Sequence, residues 1–255
     1  MMQLKSDPSI EAMRASGRIV ARALTAAREA AAVGTSLLDL DRAARAVLAE
    51  AGATSPFLGY HPAWAPTPFP AVLCVSVNDA VVHGVPHDYR LRDGDLVSVD
   101  CGAVLDGWAG DAALSFTVGR ARPEDTALIA VAEDALRAGI EAAVVGNRIG
   151  DIAHAVGQVC RRAGVGIPEG LGGHGIGRSM HEDPSVPNEG RPGRGVPLRH
   201  GMVLAIEPMV IAGGGDRHWT DRDGWTIRSL DGSRAAHAEH TVAITDDGPR
   251  LLTVL

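Results

Sequence analysis

The chain runs through one order of elements twice, and that repetition restricts its fold more than any other feature of the sequence. Apolar periodicity and breaker residues predict helices over residues 10–33 and 38–51, then strands over 72–77, 96–104 and 108–118. Helices are predicted again over 123–145 and 149–163, followed by strands near 202–211, 225–229 and 238–245. Val33-Gly34-Thr35-Ser36-Leu37-Leu38-Asp39-Leu40 aligns with Val145-Gly146-Asn147-Arg148-Ile149-Gly150-Asp151-Ile152, and Ala51-Gly52 with Ala163-Gly164 at the same offset. Leu91-Arg92-Asp93-Gly94 matches Leu198-Arg199-His200-Gly201, and nine residues beyond each leucine stands an acid, Asp100 or Glu207. Coincidence competes with common ancestry for a match this short, but an acid matched to an acid at the end of an apolar strand is the less expected accident. The repeat predicts an α+β fold in one domain, residues 1–255, built of pseudo-two-fold-related helix-helix-strand halves (about 8–120 and 121–250) with acids facing across the axis. Asp7-Pro8 is expected to open the first helix with Asp7 as its N-cap. Five prolines between residues 54 and 70 make that stretch an irregular loop on the surface or over a site.

Composition removes several function classes. Of 255 residues 45% are apolar and 22% charged, too hydrophobic for intrinsic disorder. No apolar run approaches the ~18 residues of a membrane span, and residues 1–8 lack the apolar core of a signal peptide. A formal net charge of -7 without a long basic run makes DNA a poor partner. Cys74, Cys101 and Cys160 form no C-x-x-C pair, which predicts reduced thiols, a cytoplasmic location and no thiolate zinc module.

Chemistry concentrates at strand ends. Asp106-Gly107 between apolar flanks signals a two-residue hairpin. Pairing Leu105 with Trp108 then sets Asp111 opposite Gly102 and brings Asp100 onto the same face, about 7–8 Å from Asp111 at the backbone. Two converging carboxylates can flank metal ions about 3.5–4 Å apart. Asp111 alone would read as a solvated surface acid, whereas Asp100 ends the apolar run Leu96-Val97-Ser98-Val99 and needs a counter-charge if buried. Gly172-Gly173-His174-Gly175-Ile176-Gly177-Arg178-Ser179-Met180-His181 is too glycine-rich for a helix, and two imidazoles framed by glycines suit a site. Glu207 closes Met202-Val203-Leu204-Ala205-Ile206. Glu239 is as compatible with an edge-strand acid as with a site, and His83 with a buried structural histidine. Four acids with one histidine form an oxygen-rich set suited to Mn(II), Fe(II), Co(II) or paired zinc.

His83-Gly84-Val85-Pro86, the Asp100-x10-Asp111 pair, Gly173-His174-Gly175-Ile176-Gly177-x-x-x-His181-Glu182, Ile206-Glu207-Pro208-Met209 and Glu239-His240-Thr241 together resemble the methionine aminopeptidases. The resemblance spans about residues 8–250, in order and with family-like spacing. It implies the pita-bread metallopeptidase fold, with its two halves around a central antiparallel sheet. Glu207 follows His181 by only 26 positions, leaving no room for the helical insert of type II enzymes, so the chain resembles the short bacterial type I form.

The resemblance further implies removal of the N-terminal methionine of new polypeptides when the next residue is small. Asp100, Asp111, His174, Glu207 and Glu239 would hold two divalent ions (Co, Mn, Fe or Zn), with Asp111 and Glu239 bridging. Glu207 would accept a proton from the attacking water, His181 would stabilise the oxyanion, and His83 would contact the scissile nitrogen. Tyr60, Phe69, Cys74, Met180 and Trp225 would line the methionine pocket, where a thiol and aromatic edges suit a thioether. Asn78 stands where some relatives bind an auxiliary monovalent cation. A cytoplasmic monomer with transient ribosome association and no membrane partner is implied. Three departures bear on rate and metal preference: a longer, proline-rich loop at His61–Thr67, Ala109 where many members carry histidine, and Ala112 where many carry threonine or serine. The competing readings are a prolidase or aminopeptidase P, which carry a substantial extra N-terminal domain, and a catalytically impaired binding module of the same fold.

Overall fold

The computed structural model describes residues 3–255. Helices α1 (Asp7–Ala30) and α2 (Leu37–Glu50) are followed by strands β1 (Leu73–Val77), β2 (Ala80–Val82), β3 (Leu96–Leu105) and β4 (Trp108–Thr117). Helices α3 (Pro123–Ala142) and α4 (Ile149–Ala163) open the second half. It continues through β5 (Gly172–Gly175), β6 (Glu182–Pro187), β7 (Val203–Ile206), β8 (Met209–Ile211), β9 (His218–Thr220), β10 (Ile227–Ser229), β11 (Ala235–His237), β12 (Glu239–Thr245) and β13 (Gly248–Leu251).

One antiparallel sheet crosses both halves in the order β1-β3-β4-β12-β7-β5-β6, with β13 beside β12. The halves join where β4 meets β12, at Glu239 opposite Ala113 and His240 opposite Ala112. Helices cover one face. Val97, Val99, Cys101 and Ala103 of β3 pack with Ala112 and Phe116 of β4 against α1 and α2. Leu204, Ile206, Val242 and Ile244 pack against α3 and α4. Alternation along β3 and β4 then turns Asp100 and Asp111 to the opposite face.

The aligned residues of the repeat do the same jobs. Asp39 accepts the backbone N–H of Ser36 at 3.1 Å, and Asp151 accepts that of Arg148 at 2.7 Å, each carboxylate closing the first turn of its helix. Gly34 donates its N–H to Leu91 O and Gly146 to Leu198 O; Leu91 and Leu198 in turn donate to Thr35 O and Asn147 O. Both glycines have positive φ, 92° and 98°, where a side chain would be strained. These tethers pull the chain out of α1 and α3 at Ala30 and Ala142, a few residues before the sequence-based helix ends.

Three further boundaries depart from expectation. The N-cap of α1 is Ser6, and Asp7 lies in the first helical turn, where its charge complements the helix dipole. Pro208 has no N–H to offer a ladder, so the strand expected over 202–211 divides into β7 and β8. The strand expected near 238–245 forms as β12, preceded by a separate short strand, β11, that pairs with β8 outside the main sheet. Trp225 precedes β10 instead of beginning it, its N–H held by the Asp223 carboxylate at 2.8 Å.

Helix α1 lies close over β4 because glycine meets glycine: a Cβ on Gly110 would stand 2.9 Å from Gly17 N. A Cβ on Gly17 would stand 2.2 Å from Leu252 O, which is backbone and cannot swing aside. Alanine raises helix propensity, yet Gly17→Ala is expected to destabilise by about 1–3 kcal/mol through overpacking. Thermal unfolding of the variant checks this, and an unchanged or raised Tm would contradict it.

Candidate metal centre and substrate cavity

The Asp106-Gly107 turn, with φ of 51° and 75°, sets the β3–β4 register as expected: Leu105 faces Trp108, Gly102 faces Asp111 and Asp100 faces Ala113. The pairing of β12 with β4 at Ala113 brings Glu239 beside this carboxylate pair. Thr241 sets the join. Its Oγ1 donates to Asp111 O at 2.7 Å and accepts Asp111 N–H at 2.9 Å. From β5, where a Cβ on Gly173 would meet Ala205 O at 2.1 Å, His174 projects into the same space. Its Nε2 lies 3.5 Å from Glu207 Oε1 and 3.9 Å from Asp111 Oδ2. His174 Nδ1 is 2.9 Å from Gly175 O, which can only accept, so Nδ1 carries the proton and the Nε2 lone pair faces the acids. Glu207 stands at the break before Pro208, its carbonyl oxygen accepting from Asn188 Nδ2 at 3.0 Å.

The electrostatics of this cluster are unfavourable for the protein alone. Asp111 and Glu239 are 4% and 2% exposed. Among the described residues neither lysine nor arginine pairs with Asp100, Asp111, Glu207 or Glu239; their ionic neighbours are His174 and His237. Burial pushes Asp100 up to about 7. Burial, then neighbouring carboxylates, holds Asp111, Glu207 and Glu239 well above their ordinary values. Burial lowers the histidines, His174 and His83 to about 4 and His237 to about 3, and it also lowers His181. Asp100 Oδ1, Asp111 Oδ1, Glu239 Oε1 and His237 Nε2 are buried without hydrogen-bond partners. Orphaned acceptor atoms at this density are costly unless a cation satisfies them. Two triplets have donor atoms mutually within 4.8 Å: Asp111, His174 and Glu239, and Glu207, His237 and Glu239. The donor set fits divalent metal.

A cavity of about 330 Å³ opens onto the acids. Every residue expected in the methionine pocket lines it: Tyr60, Phe69, Cys74, Met180 and Trp225. Cys74 pairs with Asp100 across β1 and β3, and burial followed by the carboxylate charges pushes its thiol up. Phe69 and Trp225 meet edge to face, 5.1 Å between centroids. Trp225 Nε1 donates to Thr67 O at 2.9 Å, which anchors the proline-rich loop to the pocket floor. His83 and His181 border the same space, the His181 ring centred 4.5 Å from His174 and 5.5 Å from Tyr60. Phe57 and Trp64 also line it and were not singled out in the sequence; each sits in the irregular stretch with no periodicity to mark it.

Asn78 lies apart from this cavity. Its Oδ1 accepts from Leu96 N, its Nδ2 donates to Asp95 and its carbonyl oxygen accepts from Ala235 N. Ala109 is fully buried in a cluster that includes Ile10, Met13 and Ile176, and its N–H donates to Gly177 O at 2.8 Å. Ala112 faces the helices within the first-half core.

The sequence model of metallopeptidase family M24 matches residues 11–246. Methionine aminopeptidase 1 of Mycobacterium tuberculosis is 54% identical over 98% of this chain and 94% of its own length. Methionine aminopeptidase of Clostridium acetobutylicum is 46% identical over 100% and 99%. The crystal structure of methionine aminopeptidase from Thermotoga maritima superposes with a TM-score of 0.95 at 39% identity, covering both chains fully. Prolidase from Pyrococcus furiosus superposes at 0.77 with 22% identity over 65% of its length, a likeness of fold alone. The architecture is the pita-bread fold.

The raised carboxylates imply a pH dependence for metal-free protein. An unfolded carboxylate titrates near 4, so above that pH the folded state holds protons that the unfolded state has released, and stability falls as pH rises. The lowered histidines act in the opposite sense, but only below their unfolded value near 6.5. From pH 6.5 to about 8 the carboxylates dominate, each retained proton costing about 1.4 kcal/mol per pH unit until it is released, and above about pH 8 the buried thiols add to the same trend. Chelator-treated protein is therefore expected to resist urea less well at pH 8.5 than at 6.5, and saturating Mn(II) to flatten the difference. Equal midpoints without metal would refute this.

Proposed function

The chain belongs to metallopeptidase family M24 and there to the methionine aminopeptidases, and from that premise we propose that it removes N-terminal methionine from polypeptides whose second residue is small. The observation that carries this reading is the junction of two environments in one cavity. Four carboxylates, two buried and two half-buried, none with a lysine or arginine partner among the described residues, adjoin a slot of thiol, thioether and aromatic side chains. The first suits a metal-dependent hydrolase and the second an unbranched thioether.

Asp100, Asp111, His174, Glu207 and Glu239 would hold two divalent cations. Bound there, the cations supply charge neutralisation, Lewis-acid polarisation of the peptide carbonyl and a lowered pKa for the attacking water. Glu207 accepts a proton from that water; its carboxylate reaches within 3.5 Å of His174 and its backbone is tied by Asn188. His181, neutral through burial, keeps one N–H to donate to the carbonyl oxygen as charge develops there. His83, also neutral, would hydrogen-bond near the scissile nitrogen, while the proton that Glu207 has taken from the water passes to the leaving amine. The free α-amino group of the substrate lies among the acids, which restricts cleavage to the first peptide bond. Residues 1–255 act as one domain because each half brings part of this set.

All of the proposed site residues come from one chain, consistent with a monomer. Burial of the three free cysteines suits a reducing cytoplasm. No helix among the described residues is long and apolar enough to cross a membrane. New polypeptides present the substrate end as they emerge, so transient association with ribosomes follows from the substrate.

Metal-replete protein is expected to release methionine from Met-Ala-Ser and to leave Gly-Pro intact, the activity disappearing on chelation and returning with Mn(II), Fe(II), Co(II) or Zn(II). Intact Met-Ala-Ser would end this reading, and cleavage of Gly-Pro would place the chain with the prolidases. His181→Ala is expected to lower kcat by about 10²–10³, as loss of an oxyanion donor does, while elemental analysis finds its metal content unchanged. Lost metal would mean that His181 ligates.

A further inference from the structure

The ligand set implied by the sequence contains one imidazole, His174, yet a second stands on the other side of Glu239. His237 ends β11, is 2% exposed, and faces the acids from the strand that pairs with β8 directly after the Glu207-Pro208 break. Its backbone is pinned from both sides by Ser115, whose Oγ accepts His237 N–H at 3.0 Å and donates to His237 O at 2.8 Å. The ring is thereby delivered from a fixed strand between two small residues, Ala236 and Ala238.

The distances separate ligation from hydrogen bonding. His237 Nε2 lies 3.7 Å from Glu207 Oε2 and 3.9 Å from Glu239 Oε2. Both exceed a hydrogen bond, for which about 2.7–3.2 Å is usual. Both fall in the range spanned by two donors on one ion, since donor–metal distances of about 2.0–2.2 Å allow donor–donor separations from roughly 3 Å up to about 4 Å. His237 Nε2 makes no hydrogen bond although fully buried. Its triplet with Glu207 and Glu239 mirrors the triplet of His174 with Asp111 and Glu239 around their shared carboxylate.

We propose that His237 is a ligand of the metal pair, so that each of the two ions has an imidazole of its own. This rests on the metallopeptidase reading of the site and deepens it. A second nitrogen donor shifts the centre from oxygen-rich coordination, which suits Mn(II), toward Fe(II), Co(II) and Zn(II).

Metal-free protein titrated with Mn(II) and with Co(II) in a calorimeter, and pulsed electron paramagnetic resonance of the Mn(II)-loaded form, test the assignment. The wild-type chain is expected to bind two ions and to show nitrogen couplings from two imidazoles. His237→Gln, which keeps a hydrogen-bonding amide but removes the imidazole, is expected to lose one set of couplings and to weaken one binding step at least 10-fold. The loss is expected to be larger for Co(II) than for Mn(II), and His237→Ala to behave alike. Couplings from one imidazole in the wild type, or wild-type affinity in His237→Gln, would overturn the proposal. The wild-type spectrum decides even if neither variant folds. Failure to cleave Met-Ala-Ser by protein that shows both imidazoles would instead refute the proposed activity and leave the ligand assignment standing.

Discussion

Four carboxylates, two buried and two half-buried, gathered without a lysine or arginine partner among the described residues, are the constraint from which much of the remaining structure follows. Asp100, Asp111, Glu207 and Glu239 come from separate strands, and their mutual repulsion and desolvation oppose the fold until a cation intervenes. Holding them in place falls to a rigid backbone. Thr241 clamps β12 to Asp111, Asn188 fixes the end of β7, and the bare strand of Gly173 lets His174 approach. A site of like charges cannot hold itself together, so its geometry comes from the sheet.

Features encoded locally were legible in the sequence. Asp106-Gly107 determines a turn type by its backbone preferences, and the turn determines which residues pair; Asp100 and Asp111 follow by counting. The duplicated Gly34 and Gly146, with Asp39 and Asp151, were visible because one stereochemical task recurs with one solution. The family motifs likewise brought together every metal-ligand candidate and all five pocket residues.

What escaped were residues whose partners lie far along the chain. Thr241, quoted only as the end of the Glu239-His240-Thr241 motif, and Asn188 acquire a role only when β12 crosses to β4 and β7 stops at Pro208. His237 gave no local signal either, since its surroundings are set by the departure of β11 from the main sheet. Phe57 and Trp64 sit in chain without periodicity, where nothing distinguishes a cavity wall from a solvated aromatic. Asp7 showed a narrower weakness: Ser6 and Asp7 are both good caps, and one residue of phase separates them.

The matched acids carry a historical consequence. Asp100 and Glu207 occupy equivalent places in the two halves, and the field of the one raises the proton affinity of the other. In a half-length ancestor one residue would have filled both places by meeting its own copy across a two-fold axis, as the residues of an isologous dimer do. Such a protein could bind a cation only as a pair of subunits. Held in one chain, each acid is free of identity with its counterpart: one is aspartate on a continuous strand, the other glutamate at a proline break, so the pocket need not keep the symmetry of its two halves.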